Sequence, residues 1–399
     1  MDLVGAERAG TDLADPDLYA TGDRFALWRG HAARDAKVWS DPGFSPNGFW
    51  SVFSHGDCSA VLSPKAPFTS EHGMMIGFDA AAADAAGGRM LVVSEGDRHT
   101  RLRRLVGPFL SRLRAPELAG VLSREVAEVV ERVRAGDPVD VAAELGPRLP
   151  AAITCEVLGV PRGDREHLIE LTNHAFGGHE GAFDRMTPFE AHSEILFYFY
   201  ELVAERRANP GGDLVSALLA ADDLTEEDVV VNCDNVLIGG NETTRHSVTG
   251  AFHVLADNPG LLDRLRDPGL LDPAVEEVVR WTSPAAHVLR VATAEFTLGG
   301  HTFAEGEAVA AWLPAANRDP RAFTDPDTFQ PDRGPNRHLG FGTGPHHCLG
   351  AALARLELRE LLRALSTELA SVRLEAEPGW LRSNLVQGYR DLVVTAVGR

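Results

Sequence analysis

Cys348 is the residue of this chain with the clearest potential for chemistry. It ends a glycine-rich run, FGTGPHHC, and a strongly helical pattern follows from Ala351 to Leu365. The free N–H groups and the dipole at a helix N-terminus stabilise a thiolate. Glycines also allow the backbone to come close to a flat ligand and to aim N–H groups at the sulfur. We interpret Cys348 as a thiolate that acts as a nucleophile or as a metal ligand.

The other three cysteines narrow this choice. Cys58, Cys155 and Cys233 are too widely spaced to form a CxxC motif with Cys348, and four cysteines in 399 residues do not make a disulfide scaffold. A tetrahedral zinc site would need other ligands. One thiolate alone suits a haem iron as axial ligand.

A second reactive pattern is the run GGNETT, which lies in the middle of a long helical pattern. Its two glycines, Gly239 and Gly240, cost the helix about 2 kcal/mol relative to alanines. The Thr243 hydroxyl can bond the Gly239 carbonyl four residues earlier and open the helix, which leaves a groove. Glu242 beside it can relay protons.

Three helices and one irregular stretch must position these residues. The central helix is predicted from the N-cap Thr225 to the stop at Asn258, roughly 48 Å long. Another helix is predicted to start at Asp272-Pro273. The irregular stretch 317–350 is too long for an idle connector, so we expect it to wrap around a ligand.

Shorter elements are predicted nearer the N-terminus. The run 49–54 reads as a strand and 56–62 as a short helix. Leu102, Val106, Phe109 and Leu110 share one helix face by their spacing, and helical character continues over 113–133 with a break near Pro116. Residues 293–309 read as strands linked by turns.

These motifs resemble those of the cytochrome P450 family. The haem-binding signature of that family matches Phe341, Gly342, Gly344, His346, Cys348 and Gly350, and its oxygen-binding segment matches 239–244. The resemblance covers nearly the whole chain. It implies a mainly α fold with small β-sheets, in which a triangular helical body holds haem between the central helix and the cysteine-loop helix. One haem domain is expected over 1–399, with β-rich parts at roughly 1–90 and 285–310 and helices elsewhere.

The resemblance assigns haem b as cofactor, with Cys348 as the iron ligand. Expected haem contacts are His99, Arg103, Arg290, His346, Phe341, Gly342 and Gly350, of which the cationic side chains neutralise the two propionates. The run before His99 departs from the proline-containing turn of many bacterial members. Expected catalytic positions are Gly239, Gly240, Glu242 and Thr243.

The resemblance also implies a structural ion-pair group. Glu277 and Arg280 stand three residues apart, and in the family such a pair is buried and locks the loop ahead of the cysteine. Its third partner is expected to be Arg333, with His338 as the alternative.

Substrate contacts are expected mainly from apolar residues at positions matching the family's pocket. Asn241 and His287 could orient a polar group of the substrate or could equally bond to backbone. The expected pocket residues are Met74, Met75, Ile76, Phe78, Phe176, Phe183, Val236, Leu237, Asn241, Ala286, His287, Val288 and Val386.

Charge and composition restrict the partners. A formal net charge of −20 repels nucleic acid and acidic membrane surfaces. No leader or apolar membrane segment is recognisable, so we expect a cytoplasmic location. We also expect a monomer. No flavin-binding or iron–sulfur pattern remains, which implies an external ferredoxin and its reductase. Arginines that could dock a ferredoxin are Arg101, Arg104, Arg112, Arg114, Arg355, Arg359 and Arg363.

The function expected from the resemblance is that of a haem-thiolate monooxygenase of secondary metabolism. It would hydroxylate, epoxidise or oxidatively couple a small natural product, such as an amino acid or peptide, free or bound to a carrier protein. Two alternatives stay open: an H2O2-dependent peroxygenase, and a recruitment module of the same fold without catalysis.

Overall fold

The computed structural model describes residues 6–8, 10–21, 23–34, 36–77, 86–111, 115–176 and 186–399. The α-helices in these ranges are α1 (Asp17–Thr21), α2 (Arg24–Arg34), α3 (His55–Val61), α4 (Gly96–Val106), α5 (Ala115–Arg134), α6 (Arg148–Leu158), α7 (Arg165–Phe176), α8 (Pro188–Ala208), α9 (Leu214–Leu219), α10 (Glu226–Asp257), α11 (Leu261–Arg264), α12 (Pro268–Thr282), α13 (Leu313–Ala316) and α14 (Ala351–Glu368). The strands are β1 (Ala6–Arg8), β2 (Lys37–Ser40), β3 (Phe49–Val52), β4 (Phe68–Thr69), β5 (Val139–Asp140), β6 (His287–Ala292), β7 (Phe296–Leu298), β8 (His301–Phe303), β9 (Ala308–Trp312), β10 (Leu369–Leu374), β11 (Gly379–Trp380), β12 (Tyr389–Asp391) and β13 (Val393–Gly398).

The central helix α10 begins and ends where the sequence predicts. The Thr225 hydroxyl accepts from the Asp228 N–H at 3.2 Å, and the Asp228 carboxylate accepts from the Thr225 N–H at 3.0 Å. This capping box satisfies two N–H groups that the first turn would otherwise leave free. The helix continues without interruption through Gly239 and Gly240 to the cap at Asn258. Helices α6, α8, α12 and α14 pack around it, so it forms the centre of the helical core.

Two helix boundaries differ from the prediction. Helix α12 starts at Pro268, because the Asp267 carboxylate caps it by accepting from the Gly269 N–H at 2.9 Å. The same Asp-Pro pattern recurs at Asp272-Pro273, which the sequence analysis wrongly took as the start. Helix α4 stops at Val106, and Gly107–Leu110 form a 3-10 turn. Pro108 lacks the N–H that would continue the α-helix.

The strands form a mixed six-stranded sheet and three small sheets in the described ranges. The large sheet has the order β1-β2-β3-β9-β6-β4, and β10-β13-β5 form an antiparallel sheet with residues from both ends of the helical region. The predicted β-rich parts are therefore incomplete. The first ninety residues also contain α1, α2 and α3, while residues 369–398 supply further strands. These strands are only two to six residues long, and β5 pairs with β13 across most of the chain.

The sheet and the helical core meet beside α10, where two further apolar clusters pack around the large sheet. None of the described helices combines the length and apolar character needed to cross a membrane. The fold thus places α10, the end of α12, β6 and the loop before α14 around one cavity.

Candidate functional site

A cavity of about 280 Å³ lies between α10 and the loop that leads into α14. Its walls are mainly apolar, and Cys348 forms part of its floor. The apolar lining includes Met74, Leu91, Val106, Leu110, Ile153, Val236, Val279, Ala285, Val288, Leu313, Phe341, Leu349, Leu353 and Leu358.

The cysteine loop holds Cys348 by backbone contacts that need glycine. The Cys348 N–H donates to the Phe341 carbonyl at 2.8 Å, and Gly342 and Gly344 have φ angles of +63° and +74°. A Cβ on Gly344 would come within 2.1 Å of the Leu62 carbonyl oxygen at the end of α3. The loop is therefore fixed against α3 by an approach that only glycine permits.

Cys348 is accessible, unlike the three buried cysteines, and it lines the cavity. Burial raises its pKa, and the N–H groups of Gly350 and Ala351 and the Arg103 guanidinium oppose that effect without cancelling it. A thiolate at this place needs a positive partner, which a metal ion in the cavity would supply.

Glu277 anchors the stretch ahead of the cysteine loop. Its carboxylate is completely buried and accepts from Arg280 at 2.7 and 2.8 Å and from Arg333 Nε at 3.0 Å to both oxygens. It also accepts from the Gln330 N–H and from Asn336 Nδ2, at 2.9 and 3.0 Å. The remaining guanidinium N–H groups donate to carbonyl oxygens between residues 317 and 328.

His338, the alternative third partner, contacts the neighbouring carboxylate instead. Its Nε2 lies 3.1 Å from Glu276, which also accepts two hydrogen bonds from Arg355. Burial pushes the pKa of Glu276 up, but Arg355 and His338 outweigh it and bring it to about 2. The Arg355 guanidinium lies over the Phe341 ring at 4.4 Å. This second group ties α12, α14 and the cysteine loop together.

Two basic side chains without an ion pair to another described residue lie at or near the cavity: His99 lines it, and Arg290 is close enough to His99 to help lower its pKa. His99 is buried, and its Nε2 has no hydrogen-bond partner among the described residues. Burial, His346 and Arg103 lower the pKa of His99 to about 4. Arg290 is also buried, and its side chain donates only to the Leu289 carbonyl at 2.8 Å in the described part of the chain. Buried polar groups of this kind need a ligand, and an anionic group would suit them.

Two other residues expected to contact haem are held by protein groups. His346 Nε2 lies 3.2 Å from Glu95, which also accepts from the Ser70 N–H and hydroxyl at 2.9 Å. Burial raises the pKa of Glu95, yet these hydrogen bonds lower it to about 2 overall. Arg103 donates to the His347 carbonyl at 2.7 Å.

The middle of α10 forms the opposite wall. Thr243 donates from its hydroxyl to the Gly239 carbonyl at 3.2 Å, the bond that the spacing predicts. A Cβ on Gly239 would meet no atom within 4 Å, whereas one on Gly240 would lie 2.6 Å from the Thr154 hydroxyl of α6. Gly239 therefore opens the helix surface to the cavity, and Gly240 allows α6 to pack closely.

Glu242 points away from this cavity, toward α7. It is buried, and its nearest cation is Arg245, with Nη1 3.4 Å from Glu242 Oε1. Burial raises the pKa of Glu242, and Arg245 opposes the rise. Arg245 in turn donates to Asn173 of α7. The carboxyl group is thus stored beside the groove and not in it.

The expected pocket residues fall into three groups. Met74, Val236 and Val288 line the cavity. Phe78, Phe183 and the side chain of Phe176 lie outside the described residues. The expected residues that do not line the cavity are Met75, Ile76, Leu237, Asn241, Ala286, His287 and Val386.

Each of these corrections has a local reason. Leu237 follows Val236 by one step around the helix and is buried in the helical core. Asn241 faces α7, where its Nδ2 donates to Thr172 at 3.0 Å. Along β6, alternation turns His287 to the face opposite Val288.

The other expected residues that do not line the cavity lie at the surface or in the core around the large sheet. Met75 is exposed at the surface, while Ile76 packs on the sheet core. Ala286 is buried in that core, and its N–H donates to the Leu385 carbonyl at 2.9 Å. Val386 is buried and pairs with Ala285 in an isolated bridge.

Most of the arginines proposed for docking are already in ion pairs. Arg101 binds Asp223, Arg359 binds Asp272, and Arg363 binds Glu360. Arg112 and Arg114 lie outside the described residues. Arg104 is exposed and has no ion pair with any other described residue.

Comparison with known proteins identifies the family. The family model described as Cytochrome P450 matches residues 169–267 and 269–368. Putative cytochrome P450 126 of Mycobacterium tuberculosis is 36% identical over 99% of both chains. A crystal structure of P450 OxyD, involved in the biosynthesis of vancomycin-type antibiotics, has a TM-score of 0.94 and 60% identity, covering 98% of this chain and 100% of OxyD. P450BioI in complex with an acyl carrier protein bearing hexadec-9Z-enoic acid has a TM-score of 0.83 and 27% identity, covering 94% and 98% of the two chains.

This chain belongs to the cytochrome P450 family. The P450 is therefore a monooxygenase with haem as cofactor and a cysteine thiolate as its axial ligand. The residues of the cavity fit that group. Cys348 and the neutral imidazole of His99 line the cavity, the nearby guanidinium of Arg290 is buried without an ion pair in the described protein, and the walls are mainly apolar.

Three polar residues of this P450 site were missed by the sequence analysis. Asn235 lies one turn before Gly239 and lines the cavity, and its carboxamide makes no hydrogen bond to another described residue. Glu357 of α14 also lines it, and burial raises its pKa to about 8. Glu95 holds His346. Asn235 could have been found from its spacing of four residues to Gly239, whereas the other two needed long-range contacts.

Proposed function

We propose that this P450 oxidises an amino-acid or peptide building block of a natural product while the block is attached to a carrier protein. The observation that carries the proposal is the likeness to OxyD along almost the whole chain, at 60% identity. The neighbour P450BioI supports carrier-bound substrates in this fold, because it was crystallised with a loaded acyl carrier protein. The reaction is hydroxylation in the simplest case.

We assign the haem contacts to residues in and beside the cavity. Cys348 would ligate the iron, and His99, Arg103 and His346 of the lining, together with the neighbouring Arg290, would hold the propionates. A bound haem with a thiolate ligand supplies the activation of O2 and the transfer of one oxygen atom to the substrate. The protein residues position the substrate, exclude water and move protons.

Thr243 and Glu242 carry the proton-handling part of this assignment. Thr243 has its hydroxyl in the groove, where the bond to the Gly239 carbonyl leaves its oxygen free to accept or relay a proton. Burial raises the pKa of Glu242, which favours its protonated form, and Arg245 opposes this effect. Delivery requires the carboxyl group to leave Arg245 and turn toward the groove, one residue away along α10.

The lining of the cavity supports a substrate that is mainly apolar with one polar group. Its polar residues near α10 include Asn235, whose carboxamide offers one acceptor and two donor hydrogens. Asn235 and Gly239 are separated by about 6 Å along the helix axis. A hydroxyl or amide of the substrate can bond there while a carbon several bonds away faces the groove of Thr243.

Electrons are expected from a ferredoxin. Its docking requires positive potential around the cysteine loop despite the net charge of −20. Arg104 of α4 suits this role best among the described arginines, since it is exposed and has no ion pair there.

A spin-state titration of the haem-bound protein tests the substrate. Phenylalanine, tyrosine and leucine are each loaded through phosphopantetheine onto a peptidyl carrier protein, and the shift from low to high spin is recorded. We expect a shift with one loaded carrier and none with the empty carrier. A shift with the free amino acid alone would replace the carrier-bound form by the free one. No shift with any loaded or free amino acid would overturn the substrate class.

A further inference from the structure

Three chain segments meet at the side of the cavity formed by β6. The Leu289 N–H donates to the Met74 carbonyl at 2.9 Å, and the Ala286 N–H donates to the Leu385 carbonyl at 2.9 Å. These segments supply four lining residues of the cavity, namely Met74, Pro284, Ala285 and Val288. The position of this wall therefore depends on how segments 74–76, 284–289 and 384–387 are joined.

His287 contacts both of the other segments through its ring. The Ile76 N–H donates to Nε2 at 2.9 Å, and Nδ1 lies 2.9 Å from the Asn384 carbonyl. A carbonyl only accepts, so Nδ1 carries the hydrogen and Nε2 is the bare acceptor. The ring is completely buried and packs against Trp312 with centroids 5.2 Å apart. Burial lowers the pKa of His287 to about 4, in keeping with this neutral form.

We infer that His287 is a positioning residue, which fixes Met74 and the chain beside it by joining segments 74–76 and 384–387 to β6. The side chain is suited to this because its two nitrogens point in different directions, toward one donor and one acceptor. The Ile76 N–H and the Asn384 carbonyl have no other hydrogen-bond partner in the described structure. His287 itself does not line the cavity, so it acts on a substrate only through the wall that it holds.

Loss of the ring would leave a partly buried donor and a partly buried acceptor without their protein partner. Segment 74–76 would then separate from β6 more often, and the wall at Met74 would become less defined. Binding of a ligand would have to order this wall again, which lowers affinity. The inference rests on membership of the P450 family and not on the proposed substrate.

The test compares three variants of the haem-bound protein by hydrogen exchange. His287→Leu removes both polar contacts, and His287→Gln retains one acceptor and one donor on its amide. His301→Leu is the matched control, because His301 is a histidine of strand β8 that packs on Trp50 at 4.1 Å and does not line the cavity. Each variant is also titrated with 1-phenylimidazole, whose nitrogen binds the haem iron and whose phenyl ring occupies the cavity.

In His287→Leu we expect the Ile76 amide to exchange at least ten-fold faster, with the change confined to residues 74–77 and 384–387. The dissociation constant of 1-phenylimidazole should rise about five-fold, and His287→Gln should recover most of both effects. The control should match the wild type in both measurements. Unchanged exchange at Ile76, an increase spread equally over α12, or an unchanged dissociation constant in His287→Leu would each overturn the inference. None of these readouts requires the natural substrate, so they are independent of the carrier-protein titration.

Discussion

Two regions beside the cysteine loop differ in whether their buried ionisable groups have partners within the protein. Behind the loop, Glu277 accepts hydrogen bonds from Arg280 and Arg333, and the remaining N–H groups of both guanidinium groups reach carbonyl oxygens. In and beside the cavity, the imidazole of His99 and the guanidinium of Arg290 are buried without an ion pair among the described residues. In the first region the protein supplies all the partners of the charged groups, whereas in the second region the partners must come from a ligand in the cavity.

We therefore expect the first region to contribute mainly to stability and the second mainly to ligand binding. A charge that has all its partners in the protein contributes to the folded state whether or not a ligand is bound. A charge without them lowers the stability of the free protein and contributes when a ligand neutralises it. Substitutions in the two regions should therefore have different signatures.

Cys348→Ala should have the largest effect. The purified variant should lose the red-shifted Soret band that a thiolate-ligated ferrous haem shows with CO. Cys155→Ala, which changes a completely buried cysteine of α6, should keep the band. Retention of the band in Cys348→Ala would show that the iron ligand lies elsewhere.

Glu277→Gln tests the first region. The change leaves Arg280 and Arg333 buried with weaker partners, so the free energy of unfolding in urea should fall by about 3 to 5 kcal/mol. Glu276→Gln is the matched variant on the same helix, and because its ion pairs are partly exposed, its loss of stability should be clearly smaller than that of Glu277→Gln. Equal losses in the two variants would contradict the distinction between a buried and an exposed group.

Glu357→Gln tests a carboxyl group in the second region. Its folded-state pKa of about 8 lies above the ordinary value of 4.5, because burial favours the protonated form. The unfolded chain releases this proton first, so the free energy of unfolding falls as pH rises from about 4.5 through 8. Glu357→Gln has no carboxyl group to titrate at this position, so its free energy of unfolding at pH 7 should exceed that of the wild type by roughly 3 kcal/mol. Parallel curves of unfolding free energy against pH would refute the raised pKa.

Arg290→Met tests a cation of the second region. Haem should transfer to apomyoglobin roughly ten-fold faster or more from this variant, since a charged hydrogen bond contributes about 1.5 to 3 kcal/mol. The haem-free variant should be at least as stable as the haem-free wild type, because a buried charge without a counter-charge is removed. Arg373→Met, which changes a largely exposed side chain, serves as control. A large loss of stability in the haem-free variant would show that Arg290, like Arg280 and Arg333, has its partners within the protein.

Arg104→Glu should have the smallest effect. Reversal of one exposed charge should slow reduction by ferredoxin a few-fold at low salt, with little change at high salt. Affinity for 1-phenylimidazole should stay the same. Reduction kinetics identical to those of the wild type would remove Arg104 from the docking surface.

Local sequence signals predicted much of the fold and of the site. The capping box at Thr225 and Asp228 determined where α10 begins, and Gly239 and Thr243 stand four residues apart on the same helix. These features depend on neighbours within one or two turns. The predicted start of α12 was wrong because Asp-Pro occurs both at 267–268 and at 272–273, and the sequence alone does not decide between the two pairs.

Partner choice over long distances was not predictable from the sequence. Glu95 and His346 are 251 positions apart, and His287 meets segments 211 and 97 positions away. An asparagine or a histidine can bond to a substrate or to the backbone with equal chemical sense. Only the fold shows that Asn241 and His287 bond within the protein, while Asn235 faces the cavity.

The contact between Gly344 and the Leu62 carbonyl limits how this enzyme can be diversified. Any side chain at 344 would push the cysteine loop off α3, so a randomised library that includes this codon is mostly wasted. Diversity is better placed at Met74, Asn235 and Val288, where new side chains change the shape of the cavity and leave the iron-bearing loop in register.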